Sequence, residues 1–193
     1  MRRFILLLSV TVTSYIQARE IPIEARVSAF FHSSKRFRDL YGDVGPSYSL
    51  EGATSIHKTL WVWADLDWFY AHRSHEPVYT QSIDYDEVTK STVDIVNLSF
   101  GLKYVYTASA HWKLYGGLGP VVGKIFLKNI SLSYEDRVNK YIAGGVAKIG
   151  AHYTFSGGVF LDLFVDYLYQ PVRFHTTVDV GGLKTGLGLG YNF

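Results

Sequence analysis

A regular alternation of large apolar residues with small or polar residues restricts the fold of this chain more than any other feature. It is clearest over residues 183–193, where the odd positions are mainly Leu, Tyr and Phe and the even positions are Lys, Gly and Asn. Successive side chains of a strand point to opposite faces of a sheet, so a period of two indicates a strand with one apolar face.

The same alternation recurs along the chain and predicts an all-β fold with about eight strands. Clear alternation occurs over residues 21–31, 60–70, 96–104, 147–153, 159–167 and 183–193. Weaker alternation predicts strands near Tyr48–Leu50 and Trp112–Leu118. Pro120 conflicts with a central strand because it has no backbone N–H to donate, so we expect it at a rim or a bulge. An aromatic content of 16% and 18 glycines also favour strands joined by turns.

The predicted connections alternate in length. Short turns are expected near residues 55–59, 107–111 and 156–158, and long polar connections over 32–47, 72–92, 124–140 and 169–182. This pattern is typical of an up-and-down transmembrane barrel with its long loops outside. A ten-stranded barrel requires a further membrane hairpin within 72–92, which the charges and the missing apolar face of that segment disfavour.

Charged residues lie on the polar face of the predicted strands. They are Glu24, Arg26, Glu51, Asp65, Asp67, Lys103, Lys148, Asp162, Asp166 and Lys184. An eight-stranded lumen is just wide enough to be filled by side chains, and buried charges must be paired or wetted. We therefore expect a salt-bridged lumen, with a narrow water-filled or proton-conducting path as the alternative.

Alternation alone also fits a soluble sandwich or a soluble ligand-binding barrel. Aromatic residues, however, collect at both ends of the predicted strands. Near the long connections are Tyr48, Trp68, Tyr70, Tyr141, Tyr167 and Tyr169; near the short turns are Tyr104, Tyr106, Trp112, Tyr153, Phe155, Tyr191 and Phe193. Two such belts are typical of a protein that crosses both interfaces of a bilayer.

The first residues have the order of a secretory signal: a basic start at Arg2 and Arg3, an apolar run over residues 4–16, and Ala18. We predict a signal peptide over residues 1–18 and a barrel domain over 19–193, with the cleavage site open because Ile16 would stand at −3. The alternatives are a first core strand or a membrane anchor, although the run is shorter than the ~20 residues of a spanning helix.

Residues 1–18 contain two of the 19 basic residues and none of the 17 acidic ones, so the rest of the chain has 17 of each. That balance gives no support to nucleic-acid binding, which needs a basic patch. The chain has no cysteine, which excludes disulfides, thiolate metal sites and a lipid-modified N-terminal cysteine. No later segment approaches 18 consecutive apolar residues, so no membrane-spanning helix is expected.

The end of the chain resembles the C-terminal assembly signal of bacterial outer-membrane barrels, which alternates apolar residues and closes on an aromatic. The matching residues are Leu187, Leu189, Tyr191 and Phe193. Residues 114–119, Leu-Tyr-Gly-Gly-Leu-Gly, are similar to strands of the small OmpA/OmpX/OmpW and opacity-type barrels. The resemblance implies insertion by the barrel-assembly machinery and contact with outer-membrane lipids and lipopolysaccharide, but it does not determine a function.

The search for chemical motifs predicts no catalytic, cofactor or metal site. The sequence has no dinucleotide-binding glycine motif, P-loop or HExxH. His72 and His75 lack a carboxylate framework for a metal. A lipid A hydrolase would need a nucleophile, base and acid, and neither His72, Ser74 and Glu76 nor His152 and Thr154 provide that arrangement.

The long connections are the remaining candidate binding sites, because exposed loops on a rigid scaffold often carry function. The first contains Lys35, Arg36 and Arg38, and the second contains Glu76, Tyr79, Asp84, Tyr85, Asp86 and Glu87. Basic residues at the rim could contact lipopolysaccharide phosphates; ordinary solvated loops are the alternative. We expect a barrel with a filled lumen that serves envelope structure or surface recognition. A passive channel for small or apolar solutes and a lipid A-modifying enzyme are the other hypotheses.

Overall fold

The computed structural model describes residues 20–74, 88–131, 135–173 and 176–193. Its eight longest strands form one closed antiparallel barrel in which each strand pairs with its neighbour along the chain and the first pairs with the last. The barrel strands are β1 (Pro22–His32), β2 (Val44–Ser55), β3 (Leu60–Ser74), β4 (Val88–Thr107), β5 (Trp112–Ser131), β6 (Glu135–Thr154), β7 (Val159–Tyr169) and β10 (Gly182–Asn192). The prediction of an eight-stranded up-and-down barrel is confirmed.

Three further elements lie in the connections at one end of the barrel. They are a short helix, α1 (Lys35–Tyr41), and a two-stranded sheet of β8 (Pro171–Arg173) and β9 (Thr177–Asp179). We call this the outer end, and the opposite end, where the three short turns lie, the inner end. None of the helices formed by the described residues has the length and hydropathy that crossing a bilayer requires. The predicted signal peptide and residues 75–87, where a further hairpin was considered, lie outside the described residues.

The three short turns lie where the sequence predicts them, over residues 56–59, 108–111 and 155–158. The last requires glycine, because Gly157 and Gly158 adopt φ values of +91° and +87°, a region that other residues rarely enter. The connections between β3 and β4 and between β5 and β6 are shorter than expected, because β4, β5 and β6 are each 20 residues long.

The predicted long connection over residues 124–140 is mostly wrong. Lys124 pairs with Tyr141 and the ladder continues to Ile130 opposite Glu135, so β5 and β6 extend well beyond the predicted strand ends. The reason is that outward positions such as Lys124 and Lys128 become polar there, which hides the alternation. A strand that has left the bilayer no longer needs an apolar outer face.

Pro120 is at neither a rim nor a bulge, and that prediction is also wrong. It lies in the middle of β5, paired with Gly145 of β6. On its other side the β4–β5 pairing is interrupted, yet the register is the same before and after the interruption, with Ser99 opposite Val121 and Leu102 opposite Leu118. The missing N–H of Pro120 therefore interrupts the β4–β5 ladder locally without changing its register.

The outer wall of the barrel is apolar, and the inner wall near the inner end combines charged residues with buried aromatic and aliphatic ones such as Trp61, Trp63 and Val105. Outward leucines on six strands are 40–69% exposed, among them Leu66, Leu102, Leu118, Leu163 and Leu187. Soluble monomers rarely expose so extended an apolar surface, so this band is a lipid-facing surface.

Aromatic pairs mark both edges of this band. Tyr48 and Trp68 lie side by side near the outer end, with ring centroids 6.2 Å apart. Trp112 and Tyr153 do the same near the inner end at 5.1 Å. Together with the closed sheet, in which the first and last strands pair, this is the construction of a transmembrane barrel.

The filled lumen as candidate functional site

The outer half of the lumen is filled by an apolar cluster, which we call the apolar plug. Its buried members are Phe30, Phe37, Tyr41, Phe69, Ala71, Val93, Ile95, Ile125, Ile142, Val172 and Val180. Helix α1 supplies two of them, and the Phe37 ring lies 4.5 Å from that of His32 and 4.7 Å from that of Tyr41. The helix ends at Gly42, whose φ is +100° and whose N–H donates to the Arg38 carbonyl. This turn brings the chain back to β2 and holds α1 over the lumen.

The inner half of the lumen contains a network of charged side chains, which we call the ionic layer. All ten charged residues that the alternation assigns to the polar face are at most 6% exposed. They are Glu24 and Arg26 on β1, Glu51 on β2, Asp65 and Asp67 on β3, Lys103 on β4, Lys148 on β6, Asp162 and Asp166 on β7 and Lys184 on β10. Six carboxylates therefore meet four cations inside the barrel.

Arg26 is the centre of the ionic layer. Its Nη1 donates to Glu51 Oε2 and Asp166 Oδ2, both at 3.1 Å. Its Nη2 donates to Tyr115 Oη at 3.2 Å and to Asp162 Oδ2 at 3.3 Å. One guanidinium thus connects three strands across the lumen, because its planar fork offers several donors in fixed directions.

Two lysines complete this part of the ionic layer through Glu51. Lys103 and Lys148 both donate to its carboxylate, the second at 2.7 Å. Lys148 also donates to Asp65 at 2.8 Å and lies 4.3 Å from the centroid of the Trp63 ring. Burying a charge is costly unless it is paired and hydrogen-bonded, and these contacts supply the pairing.

Lys184 forms a second group, between the ionic layer and the apolar plug. Its Nζ lies 2.5 Å from Asp67 Oδ1, which also accepts from Ser47. Asp67 Oδ2 accepts from Asn97 at 3.2 Å, and Gln170 in turn donates to Asn97 at 2.8 Å. No role in the lumen was predicted for the polar partners Ser47, Tyr115, Asn97 and Gln170. Ser47, Tyr115 and Asn97 lie at inward positions of the alternation, which could have identified them as lumen residues.

A third group lies at the inner end of the ionic layer. His152 is directly opposite Asp162 across β6 and β7, and Nε2 lies 3.3 Å from Oδ1. Each of Glu24, His152 and Asp162 offers an oxygen or nitrogen within 4.8 Å of the others. A cavity of about 10 Å³ adjoins Glu24 and His152, space for about one water molecule. The alternation predicts that His152 faces inward, but no role in the lumen was predicted for it.

The residues of the C-terminal assembly signal lie on the lipid-facing side of the barrel seam. Leu187, Leu189, Tyr191 and Phe193 are exposed, and β10 pairs with both β1 and β7. The backbone of Phe193 exchanges two hydrogen bonds with Ile21, each 3.2 Å long. The recognition of this segment by assembly machinery stays a prediction.

The loop residues predicted to bind partners are only partly described. Lys35 is exposed, and Arg38 donates to the His32 carbonyl at 3.2 Å and lies 3.5 Å from Asp43. His72 Nδ1 lies 3.0 Å from Thr92 Oγ1. The side chains of Arg36 and Ser74 lie outside the described part of the structure, as do His75, Glu76, Tyr79, Asp84, Tyr85, Asp86 and Glu87.

Comparison with known proteins identifies the fold but no close relative. No family model matches the sequence, and neither does any curated protein. Among solved structures, the outer membrane protein OprG from Pseudomonas aeruginosa is similar with a TM-score of 0.64 and 15% identity, over 91% of this chain and 96% of that one. Neisserial surface protein A gives 0.58 and 15% over 91% and 96%. The attachment invasion locus protein Ail of Yersinia pestis gives 0.55 and 16% over 91% and 97%. The chain is thus an integral barrel of the outer-membrane type.

Proposed function

We propose that this protein is a closed, non-conducting barrel of the bacterial outer membrane whose outer end serves as a recognition surface. The observation that carries the proposal is the filling of the lumen at two successive levels. The apolar plug occupies the outer half and the ionic layer occupies the inner half, and both draw side chains from several strands.

Each level opposes the passage of ions for a different physical reason. An ion crossing the apolar plug would lose its hydration without gaining polar partners, which costs many kcal/mol. An ion crossing the ionic layer would have to displace Arg26 from Glu51 and Asp166, contacts of 3.1 Å each. The adjoining cavity has room for about one water molecule, too little for a continuous column.

Solute uptake by proteoliposomes tests the closed lumen. Vesicles containing the folded barrel should swell in isotonic arabinose no faster than protein-free vesicles. Vesicles containing a large open porin show that the assay detects a pore, and the heat-dependent gel mobility of the barrel confirms that it is folded. Swelling that increases with the amount of folded protein would favour the second hypothesis, a passive channel.

The recognition surface that we propose lies on the outer extension of β5 and β6. Lys128 and Arg137 are opposite each other in the register, and Lys124 is opposite Tyr141. Lys124 Nζ lies 5.4 Å from the centroid of the Tyr141 ring, an exposed aromatic of the outer belt. These basic side chains therefore project outward just beyond the apolar band, the level of the phosphates of lipopolysaccharide.

Support for an anionic partner comes from charge and from a protein of the same fold. Arginine and lysine bind phosphate and sulfate through charge-assisted hydrogen bonds. Ail, a barrel of similar fold, has been crystallised in complex with the heparin analogue sucrose octasulfate. We propose that Lys124, Lys128 and Arg137 bind the phosphate groups of lipopolysaccharide and fix the barrel in the outer leaflet.

A triple variant tests this contact. Changing Lys124, Lys128 and Arg137 to glutamine should weaken binding of phosphorylated lipid A in mixed micelles by roughly a hundredfold, at about 1 kcal/mol for each basic residue near an anionic surface. The matched control replaces Lys58 and Lys113 at the inner end and should bind normally. Equal binding of dephosphorylated lipid A by the unaltered barrel would contradict phosphate recognition.

We further propose that the barrel has no enzymatic role. In the described residues His72 Nδ1 lies beside Thr92 Oγ1 and His152 Nε2 lies beside Asp162 Oδ1, and neither contact brings a nucleophile, a base and an acid together. Lipid A extracted from cells that overproduce the protein should have an unchanged mass spectrum. A mass shift that depends on the protein would contradict this proposal and favour lipid A modification.

A further inference from the structure

Three buried side chains at the inner end of the ionic layer lie within 4.8 Å of one another, and each has a polar atom for which the described residues provide no hydrogen-bond partner. The atoms are Glu24 Oε2, His152 Nε2 and Asp162 Oδ1. Glu24 is 3% exposed and Asp162 is fully buried. Unpartnered polar atoms are rare in protein interiors because each has lost its hydrogen bonds to water without replacement, so three that lie close together indicate a missing partner.

The charge of the ionic layer identifies the kind of partner. When every carboxylate is ionised and His152 is neutral, the six carboxylates and four cations of the ionic layer leave two negative charges uncompensated. Glu24 is the least well paired, since Arg26 Nε lies 3.7 Å from it while that arginine is closer to Glu51 and Asp166. One divalent cation placed beside Glu24 would make the layer neutral.

The backbone holds the two carboxylates close enough to share an ion. Gly188 of β10 pairs with Arg26 on one side and Asp162 on the other. A Cβ at this position would lie 2.6 Å from Glu24 Oε2 and 3.1 Å from Asp162 Cβ. The glycine therefore provides the space in which the Glu24 carboxylate approaches Asp162, although its φ does not require glycine.

We propose that Glu24, His152 and Asp162 bind one zinc ion in the lumen. Zinc takes imidazole and carboxylate ligands at about 2.0–2.2 Å in a tetrahedron, whose edges are then about 3.3 Å long. The 3.3 Å separation of His152 Nε2 and Asp162 Oδ1 fits such an edge. Magnesium and calcium prefer oxygen ligands alone, so the imidazole favours zinc.

The surroundings supply what the three ligands lack. The cavity of about 10 Å³ beside Glu24 and His152 accommodates a water molecule as the fourth ligand. Tyr115 Oη donates to Asp162 Oδ2 at 2.8 Å, which leaves Oδ1 directed at the proposed ion. Such outer contacts orient ligands in zinc sites.

An access route leads to the site from the inner end. Trp61, Val105 and Lys113 line both the small cavity and a wider one of about 360 Å³. Glu20 lines the wider cavity and lies 2.9 Å from Lys113 Nζ. An ion arriving from the side of the short turns therefore passes Glu20 together with Lys58 and Lys113 before it reaches the lumen.

The test uses the folded, chelator-treated barrel in detergent and zinc chloride as the probe. Elemental analysis after dialysis should give one zinc per barrel, and zinc should raise the midpoint of thermal unfolding whereas magnesium should not. Cobalt(II) should give the visible absorption bands of a four-coordinate site. A folded wild-type barrel that retains no zinc would overturn the proposal and indicate that the carboxylates hold a proton instead.

Variants assign the bound ion to these residues. Glu24→Gln and His152→Gln should each weaken zinc binding by at least about 100-fold. Loss of a residue that only contacts a ligand typically lowers metal affinity by about 10- to 100-fold, and loss of a ligand itself should lower it further. His57→Gln and His111→Gln, at exposed positions of the inner end, are the matched controls and should keep one zinc. Loss of zinc in the controls but not in the lumen variants would place the ion at the mouth and refute the proposal. If a lumen variant fails to fold, Gly188→Ala, which crowds Glu24 without removing a ligand, should still reduce affinity.

Discussion

Replacing Arg26 with methionine removes the cation on which the ionic layer converges while keeping a side chain of similar length. The guanidinium is within 3.3 Å of Glu51, Asp162 and Asp166 and lies 3.5 Å from the centroid of the Phe164 ring. Methionine can keep the contact with that ring but supplies no charge. The variant therefore isolates the electrostatic contribution from most of the packing.

The expected loss of stability follows from burial. Removing one partner of a buried ion pair costs about 3–5 kcal/mol because it leaves an uncompensated charge in a medium of low dielectric constant. Here three carboxylates lose a partner at once, and Arg26 is only 2% exposed. With a denaturant dependence of about 2 kcal/mol per molar urea, the unfolding midpoint should fall by roughly 1.5–2.5 M.

Urea unfolding in detergent micelles, followed by tryptophan fluorescence and by heat-dependent gel mobility, measures the change. The matched control is Lys113→Met, which breaks the pair with Glu20 at the exposed mouth and should cost at most about 1 kcal/mol. Adding Asp162→Asn to Arg26→Met removes one of the stranded charges and should recover part of the loss. An Arg26→Met barrel that loses no more stability than the control would refute the reasoning.

The other predictions concern packing and the second ion pair. Gly119→Ala should destabilise the barrel by about 1–3 kcal/mol in urea titration, because a Cβ there would lie 2.0 Å from the Phe100 carbonyl oxygen. Phe37→Ala should cost about 3–5 kcal/mol and lower the thermal midpoint, since its ring is 4% exposed within the apolar plug; an unchanged midpoint would mean that α1 does not stabilise the barrel. Lys184→Met should cost about 3–5 kcal/mol by stranding Asp67, and the double variant with Asp67→Asn should be more stable than Lys184→Met alone.

The sequence predicts those features of the fold that depend on one strand at a time. The alternation in residues 159–167 places Asp162 and Asp166 on one face and the leucines on the other, and the structure has the same two faces. The extension of β5 beyond Lys124 was not predicted, because its outward side chains face water and are polar, which hides the alternation. The break opposite Pro120 was missed because an unchanged register across it depends on both neighbouring strands.

Features that depend on the arrangement of several strands could not be predicted. Glu24 and His152 are 128 positions apart in sequence, and only barrel closure and strand register place them beside Asp162. The entry of α1 into the lumen is similar, because Phe37 and Tyr41 belong to a segment that reads as a polar loop. A single sequence indicates which side chains face inward but not which of them meet.

Ion conductance across a planar bilayer tests most directly whether the lumen of the barrel is closed. The purified barrel is refolded, its folded state is verified by heat-dependent gel mobility, and currents are recorded over many insertions in symmetric salt. We predict no discrete current steps from the folded protein, because the apolar plug and the ionic layer fill the lumen of the described barrel at two successive levels. Reproducible steps of uniform size from verified folded barrels would contradict it and would establish the protein as a channel.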